Sequence, residues 1–281
     1  MSTFEIVKAH SYEQAEYVIR GLPTEAGATS ERQGRLSAPN EIRKASANLY
    51  APEKGKENPS VWDAGDLNLP SSDVLEDLKI IEDELSKDFA QGKKVMAIGG
   101  TCTIKLGIAQ ALQHIGKKTG VIYFDSHPDM VSADRPYFGS VLADMIRLPH
   151  IAPENCVLLG IRNTERREYE AIEQVGMPYY SAMDIELMGI QQIVEAITNH
   201  LESVEVIQLC IDLDVVDPAF APGVGCPVPG GLASVKLLAL INALKHLPIM
   251  SLDITEYIPK YDVSGMTALL AARMIQEFTS I

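Results

Sequence analysis

Apolar and polar positions along this chain follow two periods, and the switch between them recurs from residue 72 to the end. Over residues 72–91, Leu75, Leu78, Ile81, Leu85 and Phe89 return at three- and four-residue spacing, which predicts an amphipathic helix with one buried face. Asp73 and Glu76 offer a capping pattern at its start, and Gly92 stands where it should stop. Residues 94–98 form a short apolar run that predicts a strand, Gly99-Gly100 a turn, and 104–115 a second helix stopped by Gly116. The same reading gives a strand at Val121, a loop and helix reaching about Arg147, and a strand at Val157. Asn163 or Thr164 caps a helix running to Val175, followed by a short strand over 177–180 and a helix over 190–201. An apolar run over 204–211, a Gly/Pro loop over 223–231, a helix over 233–246, a strand over 249–252 and a last helix over 267–278 complete the series. The residues before 72 read as loop-rich.

Regular strand and helix alternation predicts an α/β fold: an open parallel sheet flanked by helices on both faces. No repeat, low-complexity tract or linker interrupts it, so residues 1–281 read as a single domain. In such sheets, ligands bind in the crevice beyond the carboxyl ends of the strands. Chemistry should therefore be sought just after each apolar run.

Composition narrows the class further. The 281 residues are 46% hydrophobic, ample for a large core, yet no apolar run is long enough to span a membrane. The start, Met1-Ser2-Thr3-Phe4-Glu5, lacks a basic-plus-apolar signal pattern, so the cytoplasm is the expected location. Cys102, Cys156, Cys210 and Cys226 show no paired spacing and read as reduced thiols. A net charge of -14 argues against nucleic acid or an anionic membrane surface as partner and is compatible with a small cationic substrate.

Two strand ends carry the candidate chemistry. Asp212 and Asp214 follow the apolar run 204–211, and alternate residues of a strand share a face, so the two carboxylates converge if the strand continues through them. Like charges at that distance repel unless a cation lies between them. Asp125, His127 and Asp129 follow the β-rich Val121-Ile122-Tyr123-Phe124 directly, on one side of an extended loop. An Asp after a strand is most often a turn or cap residue, and either segment alone could be that. Five potential ligands on two strand ends make a metal site the leading reading. Asp-x-Asp-x-Val also resembles the nucleophile motif of the haloacid-dehalogenase phosphatases, but that motif opens its domain, and here fewer than a third of the residues follow it.

Taken in order, these segments resemble the arginase, or ureohydrolase, family, which includes arginase, agmatinase, guanidinobutyrase and formimidoylglutamase. The resemblance runs through Gly21-Leu22-Pro23, Arg35-Leu36-Ser37-Ala38-Pro39 with Ile42-Arg43, and Asp63-Ala64-Gly65-Asp66. It continues through Phe124 to Asp129, Ile211 to Gly231, and Asp253-Ile254-Thr255-Glu256 with Pro259 and Asp262. It implies an arginase-like fold and a pair of manganese ions sharing a water, whose hydroxide attacks a guanidino or formimino carbon. Asp125 and Asp212 would bridge the ions, His127 and Asp214 would complete one, and Asp129 would serve the other. Asp129 would also pass the proton of the hydroxide to the departing amine, and Glu256 would hold the guanidinium. The implied assembly is a homo-oligomer, a trimer or hexamer.

The family's Gly-Gly-Asp-His-Ser turn stands here as Gly99-Gly100-Thr101-Cys102-Thr103, so a cysteine replaces a histidine ligand. Cys102 reads either as a soft thiolate ligand or as a neutral thiol beside an empty half-site. One manganese held firmly and a second weak or absent is the expectation, with a histidine at 102 raising occupancy toward two. A His-Gly proton shuttle is replaced by Phe138-Gly139, for which His150 or His114 would be the spatial substitutes. Met130-Val131-Ser132 lacks the Asn that helps arginases read an α-amino acid, which favours an agmatine-like substrate; Arg135 is either a reader of a substrate carboxylate or a solvated loop residue. The alternative function is that of a catalytically impaired homologue serving as a structural or regulatory subunit.

Overall fold

Every apolar run predicted as a strand is one, and each lies in the same sheet. The computed structural model describes residues 4, 9–50 and 60–280; most of the N-terminal stretch read above for a signal pattern falls outside them. The strands are β1 (Tyr17–Leu22), β2 (Val61–Asp66), β3 (Lys94–Gly99), β4 (Thr119–Phe124), β5 (Cys156–Ile161), β6 (Tyr179–Ser181), β7 (Val206–Asp212) and β8 (Ile249–Thr255). They form one sheet in the order β2-β1-β3-β8-β7-β4-β5-β6, with every neighbouring pair parallel. The helices are α1 (Ala38–Ser46), α2 (Val74–Ala90), α3 (Ile104–Gln113), α4 (Val141–Met145), α5 (Arg166–Val175), α6 (Ala182–Met188), α7 (Ile190–His200), α8 (Ser234–Leu244) and α9 (Met266–Thr279).

Side-chain alternation along the strands divides the core. Ile122, Phe124, Leu209 and Ile211 pack on one face with residues of α1, α7, α8 and α9. Tyr123, Leu158 and Cys210 pack on the other with residues of α3 and α4, and Val95 and Ala97 pack there with α2 and α3. Both faces are covered, which is why β4, β5 and β7 read as continuous apolar runs rather than alternating ones. In α2, Leu78, Ile81, Leu85 and Phe89 are buried, each contributing roughly 1.5–3 kcal/mol of burial. Leu75, placed on that face by spacing, lies in the first turn and is 50% exposed. Asp73 caps the helix through a bond from Leu75 N.

The loop-rich reading of the first 70 residues missed β1, β2 and α1. Two motifs quoted above explain their packing. Arg43 of α1 donates to Asp63 (Nε to Oδ2, 2.8 Å) and pairs with Asp66, so the Ile-Arg pair and the Asp-x-Gly-Asp segment are two halves of one buried ion cluster. Asp262 accepts from Thr267 N and Ala268 N, fixing the start of α9. All four cysteines are free thiols, as composition predicted. No helix among the described residues is long and apolar enough to cross a membrane.

Candidate metal centre

Four neighbouring strands, β3, β8, β7 and β4, end side by side, and the candidate residues hang from those ends. Cys102 lies between β3 and α3, Glu256 follows β8, Asp212 closes β7, and Asp125, His127 and Asp129 follow β4. The strand does not continue through Asp214 as alternation required. It gives way after Asp212 to a 3-10 turn, Leu213–Val215, whose Asp214 N donates to Asp212 Oδ1 at 3.0 Å. The turn gives the two carboxylates different nearest donors, yet both still line the same small cavity. Asp129 and Glu256 both have φ in the left-handed region, 53° and 68°, which costs non-glycine residues energy and is typical of functional sites.

In the first group, donor atoms of Asp125, His127 and Asp214 all lie within 4.8 Å of one another. His127 Nδ1 is 3.1 Å from Asp214 Oδ2 and 3.5 Å from Asp125 Oδ1. Backbone amides hold the carboxylates: Ser126 N donates to Asp214 Oδ1 and His127 N to Asp125 Oδ1. Asn163 Nδ2, 3.0 Å from His127 Nε2, orients the ring. Cys102, Asp212 and Glu256 make the second group. Asp129 belongs to neither; Tyr123 Oη donates to its Oδ2 at 2.5 Å.

Two cations that sequence reasoning did not assign to the site lie within it. Lys105, in the first turn of α3, has a fully buried side chain with Nζ 3.1 Å from Asp125 Oδ2 and 3.7 Å from Asp212 Oδ2. The same ammonium stands 4.1 Å from the centre of the Tyr123 ring. Arg35, just before α1, is equally buried and places Nη2 2.6 Å and Nε 2.8 Å from Glu256 Oε2. Cys102 N donates to Glu256 Oε1, so both oxygens of that carboxylate are engaged.

Burial and neighbouring charge set the protonation of the cluster. Burial, reinforced by Asp125, pushes the Asp129 carboxyl well above the usual range, and burial with Asp214 and Asp125 does the same to Asp212. Burial would raise Asp125 too, but the Lys105 ammonium and His127 outweigh it and hold it low. Burial disfavours a charged His127, yet Asp214 and Asp125 overcome this and push its pKa up to about 12. Burial, then the charges on Asp129 and Glu256, raise the Cys102 thiol far above its ordinary value. Without a metal, Cys102 is thus a neutral thiol, and its Sγ lies 3.4 Å from Phe138 O.

The arrangement has known counterparts. The family model described as "Arginase family" matches residues 15–280. The chain belongs to the arginase family. It is 30% identical to an agmatinase of Halalkalibacterium halodurans over 97% of this chain and 94% of that protein. Among solved structures, proclavaminate amidino hydrolase from Streptomyces clavuligerus superposes with a TM-score of 0.90 at 26% identity, covering 99% of this chain and 96% of that one. The agmatine ureohydrolase of Thermoplasma volcanium gives 0.87 at 27% identity, covering 99% and 93%.

Against that family's two-ion arrangement, this centre is uneven. Two carboxylates and an imidazole suit one divalent ion in the Asp125, His127, Asp214 group. The second group does not suit another ion. Glu256 is bound to Arg35, and Lys105 lies against Asp212 and Asp125. Glu256 reaches the centre as the resemblance implied, but the guanidinium it holds is the chain's own.

The space around the centre is equally divided. A cavity of about 10 Å³ among Cys102, Asp125, Asp212, Asp214 and Glu256 has room for about one water. Beside it opens a cleft of about 420 Å³ whose walls include His127, Asp129, Phe138, Glu165 and Glu168. His127, Asp129 and Phe138 border both spaces. Neither proposed shuttle substitute lines them: His150 lies beside Pro149 and Lys118, and His114 bonds Glu82 at the surface. Arg135 pairs with Asp73 in solvent and is the solvated loop residue of its two readings. The sequence offered one signal for Lys105, as the lone charged residue of its helix set in the first turn, where the helix dipole disfavours a cation, but nothing in it named the carboxylates it meets.

Proposed function

We propose that the chain is an amidinohydrolase that uses a divalent ion, manganese by its oxygen and nitrogen donors, held by Asp125, His127 and Asp214. The observation that carries this reading is the convergence of those three donors beside a cleft wide enough for a small linear substrate. When bound, such an ion lowers the pKa of a water it coordinates and so supplies a nucleophile near neutral pH. The remaining work falls to the chain's own side chains.

His127 must give up its proton for its ring to act as a donor, and Asn163 keeps that ring oriented. Asp129 borders the cleft next to His127 with a carboxyl that burial keeps protonated to unusually high pH. That places a proton where the departing amine needs one once the carbon-nitrogen bond breaks. Tyr123 holds the Asp129 side chain in place through its hydroxyl. Phe138 carries no proton and narrows the passage between cleft and inner cavity.

The cleft also bears on substrate choice. Its ionisable walls are Asp129, Glu165, Glu168 and His127, with no lysine or arginine among the residues that form it. Such walls suit a substrate with a cationic tail. This supports agmatine-like compounds ahead of arginine. Release of urea from agmatine by manganese-loaded protein, against a panel of guanidino and formimino compounds, tests the reading; no turnover of any of them would reject it.

A further inference from the structure

We infer that Lys105 is the resident cation of the first half-site, so that this centre takes one metal ion and an ammonium where two ions would otherwise stand. The inference rests on the metal-site reading above and identifies what fills its other half. The Asp125 carboxylate shows the division. Its Oδ1 faces His127 and the Asp214 group, whereas its Oδ2 meets Lys105 Nζ at 3.1 Å. Asp212, the other carboxylate expected to bridge, directs its Oδ2 toward the same ammonium at 3.7 Å. Both bridging positions therefore carry a positive charge on the side away from His127, and the chain supplies it.

The surroundings are built for an ammonium. The Lys105 side chain is fully buried, and its charge stands over the Tyr123 ring at 4.1 Å, a contact that attracts a cation through the ring face. The Tyr123 hydroxyl in turn donates to Asp129 Oδ2. Cys102 donates its thiol to Phe138 O at 3.4 Å. Lys105, Tyr123 and Asp129 thus form one chain of contacts, ammonium over ring and ring hydroxyl to carboxyl. A second divalent ion would compete with a tethered charge for Asp125 Oδ2, and like charges sharing one carboxylate disfavour joint occupancy. It follows that Cys102 is not the weak point of the half-site. Restoring an imidazole there leaves Lys105 in place.

The test is metal stoichiometry of the full chain loaded with manganese, by elemental analysis, with electron paramagnetic resonance to separate isolated from paired ions. Expected are one ion per chain and an isolated-ion spectrum in the wild type, and the same in Cys102→His. Lys105→Met combined with Cys102→His keeps the length of the side chain without its charge, and should bind two ions with a coupled spectrum. Two ions in the wild type or in Cys102→His alone would overturn the inference while leaving the metal reading intact. One ion in the combined variant would also overturn it. No ion in any of these proteins would overturn the metal reading and the inference together. If the combined variant fails to fold, the Cys102→His protein still decides: one ion supports the inference and two reject it.

Discussion

Arg35 and Glu256 form a buried ion pair in which two guanidinium nitrogens, Nη2 at 2.6 Å and Nε at 2.8 Å, share one carboxylate oxygen. The pair is possible because residue 225 is glycine: a Cβ there would stand 2.3 Å from Arg35 Nη2 and 2.7 Å from Glu256 Oε2. Ser30 Oγ and Arg32 O take further donors of the same guanidinium. The carboxylate that family resemblance assigns to a substrate guanidinium thus already holds one of equal charge and shape. Removing one partner of a buried pair leaves the other charge uncompensated, at a cost of about 3–5 kcal/mol.

Arg35→Ala should accordingly lower stability by an amount in that range and open a guanidinium-shaped space on Glu256. Millimolar methylguanidinium should then raise the melting temperature of Arg35→Ala in a concentration-dependent way, because a ligand that binds only the folded state stabilises it. The wild type should show no such response. Thermal scans of both proteins with methylguanidinium, and with methylammonium as a control of equal charge, measure this. Equal responses of wild type and variant would show that Glu256 is not the recipient.

Asp214→Asn should remove metal binding while leaving the fold intact. Asp214 gives one of three donors, and its Oδ2 lies 3.1 Å from His127 Nδ1. The amide keeps the shape and can still meet Ser126 N through its oxygen, so the backbone contact survives. Loss of a charged ligand and of its hold on the imidazole should weaken metal affinity at least about tenfold. Isothermal titration with manganese checks it, and unchanged affinity would remove Asp214 from the site.

How much of this was legible in the sequence varied with the physics of each part. The sheet from β3 onward was readable because strands buried on both faces must be apolar throughout. β2 was not, since Val61 alone of its six residues is fully buried and the strand ends in the acids that bind Arg43. Asp125, His127 and Asp129 were legible as a spaced motif on a strand end. The different neighbours that Asp212 and Asp214 meet in the shared cavity were not, because they depend on a 3-10 turn that begins where the strand stops. Lys105 and Arg35 stayed hidden for a different reason. A buried cation is recognised by the carboxylates it meets, and those lie 20 and 221 residues away along the chain.

Metal affinity should rise with pH. His127, pushed up to about 12 by Asp214 and Asp125, holds a proton through the neutral range, and a metal needs the neutral ring. Each binding event must therefore release protons, and acid should favour the metal-free protein. Stability of the metal-free protein runs the other way. Its His127 pairing is fully present below the unfolded imidazole value of about 6.5 and is lost as pH climbs toward about 12. Titration calorimetry in buffers of different ionisation enthalpy measures the proton release directly. A manganese affinity that stays constant between about pH 6 and 9 would contradict the coupling.

Substrate reading in the cleft should be divided between its deep and outer carboxylates. Asp129 is buried beside the metal group and serves the reacting end, whereas Glu165, on the outer wall, has a side chain that is 63% exposed. Glu165 also meets Arg167 Nε at 2.7 Å, so part of its charge is already answered. An exposed carboxylate contributes roughly 0.2–1 kcal/mol to an ion pair, which corresponds to a change in KM of about 1.4- to fivefold. Glu165→Gln should therefore raise KM for agmatine-like substrates by that factor and leave kcat unchanged. A guanidino compound of similar length with an uncharged tail should show no change in either constant. Added salt should shrink the difference between wild type and variant, because the pair is screened. A fall in kcat for both substrates would place Glu165 among the groups that support the reacting end instead, and an unchanged KM for the cationic tail would mean that the tail leaves the cleft by another wall.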